Sequence, residues 1–299
     1  MVATIFKGPP GSKRWRGCWI LLQYSVADGR FFGEAFMAFA GPGKPLTQES
    51  LDEAGGIVGI PNAAMWAVIQ VESAGAGYDP DRRPKILFER HLFHRATGGR
   101  FDATHPDISN RNSGGYGSGG AHQYDRLAEA IELNRTAALA SASWGLGQVV
   151  GSNFAVAGFA DVEDMVAKMV QSERHQLLGM FNFIKGNNLG RHLKNKDWLR
   201  FALGYNGRTA EARGYPHKLE AAFETFDEGS PPDIRVRIAQ LALTFLAHKP
   251  GGVDGLFGNN SRRALQRFQV AERLPQTTEL TNADFDALVA KAFGGDIDS

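Results

Sequence analysis

The 299-residue chain has one cysteine, Cys18, which excludes a disulfide within these residues and any thiolate metal cluster. It has no apolar run of about 18 residues, the length a membrane-spanning helix needs. Neither sign of charge dominates, and a formal net charge of +1 offers no long-range attraction to nucleic acid. The eight histidines show no His-Glu-x-x-His spacing. His91 and His94 lie three apart, a pair that is more often structural than metal-binding. No metal and no cofactor is expected. With 43% hydrophobic and 22% charged residues, the composition is ordinary for globular domains, and the length suits two of them.

One stretch stands out, Ile60-Pro61-Asn62-Ala63-Ala64-Met65-Trp66-Ala67-Val68-Ile69-Gln70-Val71-Glu72-Ser73. Pro61 suits a first helical turn, where a missing N–H costs nothing. Residues 63 to 71 are apolar except Gln70, and a helix apolar on all sides is normally buried. A single carboxylate, Glu72, sits at its end, before Ser73-Ala74-Gly75-Ala76-Gly77 stops the helix. Burial and the negative end of the helix dipole both disfavour charge there. Glu72 is therefore expected to keep a proton near neutral pH and to deliver it to a leaving group. The plain alternative is a Glu that bends back to solvent.

Upstream, Lys13, Arg14 and Arg16 precede apolar residues 17 to 27, which resemble a secretory signal. Gln23 interrupts the run, and Trp19 and Tyr24 suit it poorly. A β-hairpin turning at Asp28-Gly29, or a wrongly assigned start, fits the same residues, and the signal is not favoured. Gly41-Pro42-Gly43-Lys44-Pro45 is a break before the main domain. Thr47 then caps a helix to about Val58. Glu89 follows the apolar run Ile86-Leu87-Phe88, a placement that needs a partner such as Arg90, Arg82 or His91, or a use. Residues 98 to 123, rich in Gly, Ser and Asn, read as a long surface loop, either one wall of a groove or a mere flexible excursion.

Helical periodicity returns from Tyr124 to Leu139. In Ser141-Ala142-Ser143-Trp144-Gly145-Leu146-Gly147-Gln148, small residues beside Trp144 and Gln148 would let the backbone approach a ligand. Asp161, with Asp164 as box partner, starts a helix that continues to Ile184 and carries Met165, Met169, Leu177 and Phe181 as core. Trp198 to Gly207 puts Tyr205 and Asn206 at a helix end. Rings stack on apolar sugar faces and amides bond sugar hydroxyls, so this pair suits a sugar; a structural Tyr beside an Asn turn is the alternative. A last helix runs from Tyr215 to about Phe226. After the linker at 228–232, residues 233–295 form a three-helix unit with few catalytic candidates. Its first helix carries Ile234, Ile238, Leu241 and Phe245. Its second is capped near Asn259 or Asn260. Its third starts at Thr281, boxed by Asp284 and stapled by Leu280 and Phe285.

Four of these pieces recur in order in a known family. Val71-Glu72-Ser73, Ile86-Leu87-Phe88-Glu89-Arg90-His91, Ser141 to Gln148 and Gly204-Tyr205-Asn206-Gly207 together resemble the N-acetylmuramidases of phage endolysins. The order also resembles goose-type lysozymes and lytic transglycosylases. Ala74 stands where the family often has Gly, and Gly147-Gln148-Val149-Val150-Gly151 replaces a Phe-Gln-Ile-Met-Gly-like run. Val253-Asp254-Gly255-Leu256-Phe257-Gly258 followed by Ala264-Leu265-Gln266-Arg267-Phe268-Gln269 resembles a peptidoglycan-binding domain, with Ser261 where Thr is usual.

The resemblance implies a mainly α chain. An N-terminal extension over 1–45 would precede a lysozyme-like catalytic domain over 46–227 and a small peptidoglycan-binding domain over 233–295. It implies a monomeric muramidase made in the host cytoplasm, cutting bacterial peptidoglycan in the periplasm and needing a holin to reach it. Glu72 would be the general acid and Glu89 the first candidate for the second carboxylate, with Asp79 and Asp81 behind it. Ser143, Trp144, Gln148, Tyr205 and Asn206 would bind the sugar, and Asp254, Gly255, Phe257 and Gly258 would mark the wall-binding site. The rival readings are a lytic transglycosylase and a non-catalytic wall-binding protein. Tethering a cutter to a wall-binder raises its effective concentration at an insoluble polymer. Deleting residues 230 to 299 is thus expected to weaken wall retention more than turnover of soluble fragments.

Overall fold

A computed structural model describes residues 39–73, 75–229 and 231–297. The signal, hairpin and Cys18 readings, and the Ala74 departure, lie outside these residues. Twelve α-helices and a three-stranded sheet make up the described residues. The helix expected after Thr47 is α1 (Gln48–Val58), with the Thr47 side chain accepting from the Ser50 backbone and Gly59 closing it in the left-handed conformation. The apolar stretch forms α2 (Asn62–Ser73), whose residues 63 to 69 are all buried. Phe39 and Leu46 already lie in the same core, so residues 39 to 45 are built into the helical domain. The Lys44 backbone is held between the Gln171 carbonyl and the Glu173 N–H.

Beyond α2, β1 (Ile86–Phe88) leads into α3 (Arg90–Thr97), then a loop, then α4 (Ala121–Ala140). The helix α4 breaks at Asn134, whose side chain accepts from the Ala137 N–H and restarts the second half. Strands β2 (Ala142–Trp144) and β3 (Val149–Val150) follow, and β1-β2-β3 pair antiparallel with Ile86 opposite Trp144 and Ser143 opposite Val150. The helix expected from Asp161 to Ile184 is two helices, α5 (Val162–Gln171) and α6 (Glu173–Gly186). Ser172 between them is extended (φ −155°, ψ 152°) and its hydroxyl caps α6. The break turns the first residue of α6, Glu173, fully inward. Hydrophobic periodicity is blind to such a break, because both halves keep their apolar stripe. Helices α7 (Gly190–Lys194), α8 (Trp198–Asn206) and α9 (Tyr215–Glu228) complete the unit, with α9 packed along α2.

The last three helices are α10 (Ile234–Phe245), α11 (Asn259–Glu272) and α12 (Asn282–Phe293). They enclose a second core of Leu243, Leu265, Phe268 and Leu288. Thr281 and Asp284 form the expected capping box, and Leu280 and Phe285 pack on the core. Neither Asn259 nor Asn260 caps α11; Gly258 does, without a side-chain bond. No single helix among the described residues is long and apolar enough to cross a membrane.

One expected sugar-binding residue is a core residue instead. Trp144 is 0% exposed, packs on Phe39 and donates its indole N–H to the Leu139 carbonyl at 3.1 Å. Its place on the middle strand of a sheet flanked by helices turns it inward. Trp144→Phe opens a cavity in the core and removes the indole bond to that carbonyl, an expected cost of about 1–3 kcal/mol. Urea unfolding should show the loss, with KM for glycan fragments unchanged; a raised KM at intact stability would restore the sugar-binding role.

Candidate active site

The site is built where the end of α2 meets the end of α8. Glu72 occupies the last turn of α2 and Asn206 the last residue of α8, and the Asn206 amide donates to both Glu72 oxygens at 3.0 and 3.2 Å. Burial pushes the Glu72 carboxyl up to about 7, against the opposing pull of the Asn206 bond. A carboxylic acid of this kind holds its proton near neutral pH and can give it to a leaving oxygen. The Asn206 side-chain oxygen is buried with no hydrogen-bond partner among the described residues. Asn206 therefore does what the sequence did not suggest: it holds the acid.

Tyr205 also serves the frame. Its ring stacks on Phe201 and meets Phe183 edge-on, and its hydroxyl donates to the Gly147 carbonyl at 2.6 Å. Burial, then the Glu72 carboxylate, hold its phenol well above the usual range. That bond reaches the β2–β3 turn, where Gln148 takes a left-handed backbone (φ 47°). The Gln148 amide donates to the Lys85 and Gly145 carbonyls and its oxygen accepts from the Ser143 hydroxyl. Gly147 is required by packing, since a Cβ there would lie 2.6 Å from Met180 of α6. Ser143, Gln148 and Tyr205 are thus brought together as a hydrogen-bonded frame whose polar groups already have protein partners.

Glu89 is the residue between β1 and α3. Its backbone N–H donates to the Ser141 carbonyl, which pins it to the start of β2. Its side chain is 17% exposed, with the His91 Nδ1 3.1 Å away, yet Glu89 Oε2 has no hydrogen bond of proper geometry. Of the other expected partners, Arg90 donates to the Asn112 carbonyl and Arg82 to the carbonyls of Pro42 and Ala292. Tyr116 lies near enough to Glu89 that its phenol, raised first by burial, is raised further by the Glu89 charge. Tyr116 belongs to the loop over residues 98 to 120, so that loop does reach the candidate carboxylate.

Two residues escaped the sequence reading, Arg213 and Tyr215. Tyr215 is raised by burial and then by Glu72, while Arg213 pulls both Tyr215 and Tyr116 down. Arg213 thus opposes the rise of both tyrosines, the one near Glu72 and the one near Glu89. The only available signal was an aromatic next to Pro216 at the start of α9, which reads as ordinary helix chemistry. Asp81 is engaged by the Arg83 guanidinium at 2.6 Å. Asp79 is raised by burial, with Lys85 opposing. No group of three or more His, Cys, Asp or Glu that could hold a metal occurs among the described residues.

In the C-terminal unit, a pocket of about 190 Å³ is lined by residues that include Gln240, Asp254, Gly258, Asn260 and Ser261. Asp254 accepts from the Gln240 amide and the Leu256 N–H. Gly255 faces away from the pocket, its backbone against Pro232 and Asp233 (φ 75°). Phe257 packs on the core. The expected quartet therefore divides into two pocket residues, Asp254 and Gly258, and two that shape the loop.

Residues 61–227, more than half of the chain, match the family model of the N-acetylmuramidases, and residues 233–288 match that of a peptidoglycan binding domain. Among solved structures, the Burkholderia AP3 phage endolysin is 36% identical, with a TM-score of 0.57 over 62% of this chain and 72% of that one. No curated protein matches.

The raised Glu72 pKa carries a stability consequence. The folded chain binds that proton more tightly than the unfolded one, so this contribution is fully present below pH 4.5 and lost as pH rises through about 7. Glu72→Gln removes the penalty of burying charge. It should raise unfolding free energy by up to about 3 kcal/mol at about pH 8 and leave it unchanged in acid. A denaturation series across pH checks this; no gain at high pH would mean that Glu72 ionises freely.

Proposed function

The chain belongs to the N-acetylmuramidase family, and from that premise we propose that it is an endolysin-type enzyme whose Glu72 protonates the β-1,4 glycosidic oxygen between N-acetylmuramic acid and N-acetylglucosamine. The catalytic domain is a peptidoglycan-hydrolysing glycoside hydrolase with a peptidoglycan-binding domain behind it. The observation that carries the assignment of the acid is the largely buried Glu72 carboxyl with its pKa near 7, paired, among the described residues, with a neutral amide.

Departure of the leaving sugar builds positive charge at the anomeric carbon, which a second carboxylate must stabilise or trap, directly or through a water. Glu89 takes that part. Its partly exposed side chain, with one buried oxygen left without a hydrogen bond, supports the role. Asn206 fixes the orientation of the acid, and the Ser143–Gln148–Tyr205 frame shapes the wall beside it. The pocket holding Asp254 and Gly258 takes the wall-binding role. The enzyme acts as a monomer in the periplasm after synthesis in the host cytoplasm, with a holin-type partner opening the membrane between them.

Mass spectrometry of digested cell walls tests the reaction. Hydrolysis leaves reducing N-acetylmuramic ends, and 1,6-anhydro ends would establish a transglycosylase instead. Glu72→Gln and Glu89→Gln should each lower kcat about 10²–10⁴-fold. Activity retained in the Glu72 variant would overturn the assignment of the acid.

Because the acid must be protonated, kcat/KM should fall as pH rises past about 7. The Asn206 bond lowers the Glu72 pKa, so Asn206→Ala should move that alkaline limb upward while reducing kcat through lost orientation. A limb that stays in place would separate Asn206 from the acid.

A further inference from the structure

The C-terminal domain is not carried loosely on its linker. Arg237, on α10 of that domain, is fully buried, as is its partner Glu173 at the start of α6 in the catalytic domain. The guanidinium meets the carboxylate through two bonds, Nη1 to Oε2 at 2.6 Å and Nη2 to Oε1 at 2.8 Å. Nη2 also donates to the Gly75 carbonyl. Glu173 in turn accepts from the backbone N–H groups of Leu46 and Gly77. One ion pair thus grips both ends of the Gly75-Ala76-Gly77 turn, which is the turn that leaves α2 after Glu72.

The surroundings of that turn agree. Ala76 packs with Leu241 and Val253 of the C-terminal domain in a small shared core. Gly75 (φ +89°) has its α-carbon so close to Val253 that an added Cβ would lie 2.1 Å from the Val253 carbonyl oxygen. On the other side Gly77 is pressed against the Gln176 side chain, whose oxygen accepts from the Leu146 N–H. Arg82 stacks on Phe245 at 4.3 Å and donates to the Ala292 carbonyl, and Lys44 pairs with Asp296.

We propose that the C-terminal domain completes the active site: Arg237 is a positioning residue that, through Glu173 and the Gly75 carbonyl, holds the exit of α2 so that Glu72 stays aligned with the glycosidic oxygen. The inference rests on Glu72 being the acid. It revises the expectation that deleting residues 230 to 299 weakens wall retention more than turnover of soluble fragments, because removal would leave Glu173 buried without its counter-ion and the turn without its clamp. It also assigns the domain a second task, since its docking sets the rate of cutting as well as the place. Misplacement of a catalytic group by about 1 Å is enough to cost a large part of the rate.

The test uses the full chain in two variants, with soluble glycan oligomers prepared from peptidoglycan as substrate and purified cell walls for pelleting. Arg237→Met combined with Glu173→Met replaces the pair by apolar side chains of similar size, an exchange that buried ion pairs often tolerate. Arg237→Lys keeps the charge but loses the two-pronged grip. The expected result for the double variant is a folded chain whose melting temperature is lowered, because the Leu46 and Gly77 N–H groups and the Gly75 carbonyl lose their partners, with wall pelleting close to wild type, kcat on the soluble oligomers lowered about tenfold with KM little changed, and a displaced alkaline limb of the kcat profile. Arg237→Lys should fall between the two. A folded variant of either kind with wild-type kcat and pH profile overturns the proposal. So does a loss confined to KM or to wall pelleting, since that would leave Arg237 with a docking role alone. Failure of the parent reading is distinguishable, because Glu72→Gln, assayed alongside, would then retain the wild-type rate.

Discussion

The chemistry proposed for this enzyme depends on a largely buried carboxyl group held, among the described residues, by one neutral amide. Desolvation raises the Glu72 pKa to about 7, and the Asn206 bond works against it. A cationic partner in place of Asn206 would have held the carboxyl ionised and removed its proton. An apolar residue there would have left it protonated but free to turn. An amide does neither, so the group stays both loaded and aimed. The same amide leaves its oxygen buried with no hydrogen-bond partner among the described residues.

The remaining architecture holds that pair. The helix α2 is apolar on all sides because α9 covers it and the core surrounds it. The helix α8 brings Asn206 from far along the chain, and Tyr205, next to it, ties α8 to the β2–β3 turn through the Gly147 carbonyl. On the far side α6 supplies Glu173 and Gln176, which bind the backbones of the Gly77 and Leu146 segments. Two loops that carry no regular structure thus gain fixed positions from carboxylate and amide side chains of one helix. The C-terminal domain closes the arrangement by neutralising Glu173 with Arg237.

Much of this was legible in the residues. The Thr47 and Thr281 caps, the buried helix ending at Glu72 and the separate three-helix unit follow from local chemistry, in which the signal lies within a few residues. The misreadings share one cause, contacts remote in sequence. Trp144 reads as a ligand contact beside small residues, but strand pairing with Ile86 turns it into the core. The Asp161 helix reads as continuous, since only the buried demand on Glu173 explains the break at Ser172. Tyr205 and Asn206 read either as a pair suited to a sugar or as a structural Tyr beside an Asn turn, and neither reading reaches their partners 58 and 134 residues away. Arg213 and Tyr215 carried no local pattern at all.

Sequence alone determined the class of chemistry. An apolar helix ending in a single carboxylate selects a protonated acid, and the ordered motifs select a peptidoglycan-cutting domain joined to a binding one, because those features are written in residue type and short spacing. Tertiary structure alone decided which neutral group holds the Glu72 carboxyl, that Trp144 belongs to the core, and how the two domains meet. Those outcomes depend on hydrogen bonds and ion pairs between segments far apart in the chain. No periodicity records them, and they exist only once burial has stripped the water from Glu173 and Arg237 and partly shielded Glu72.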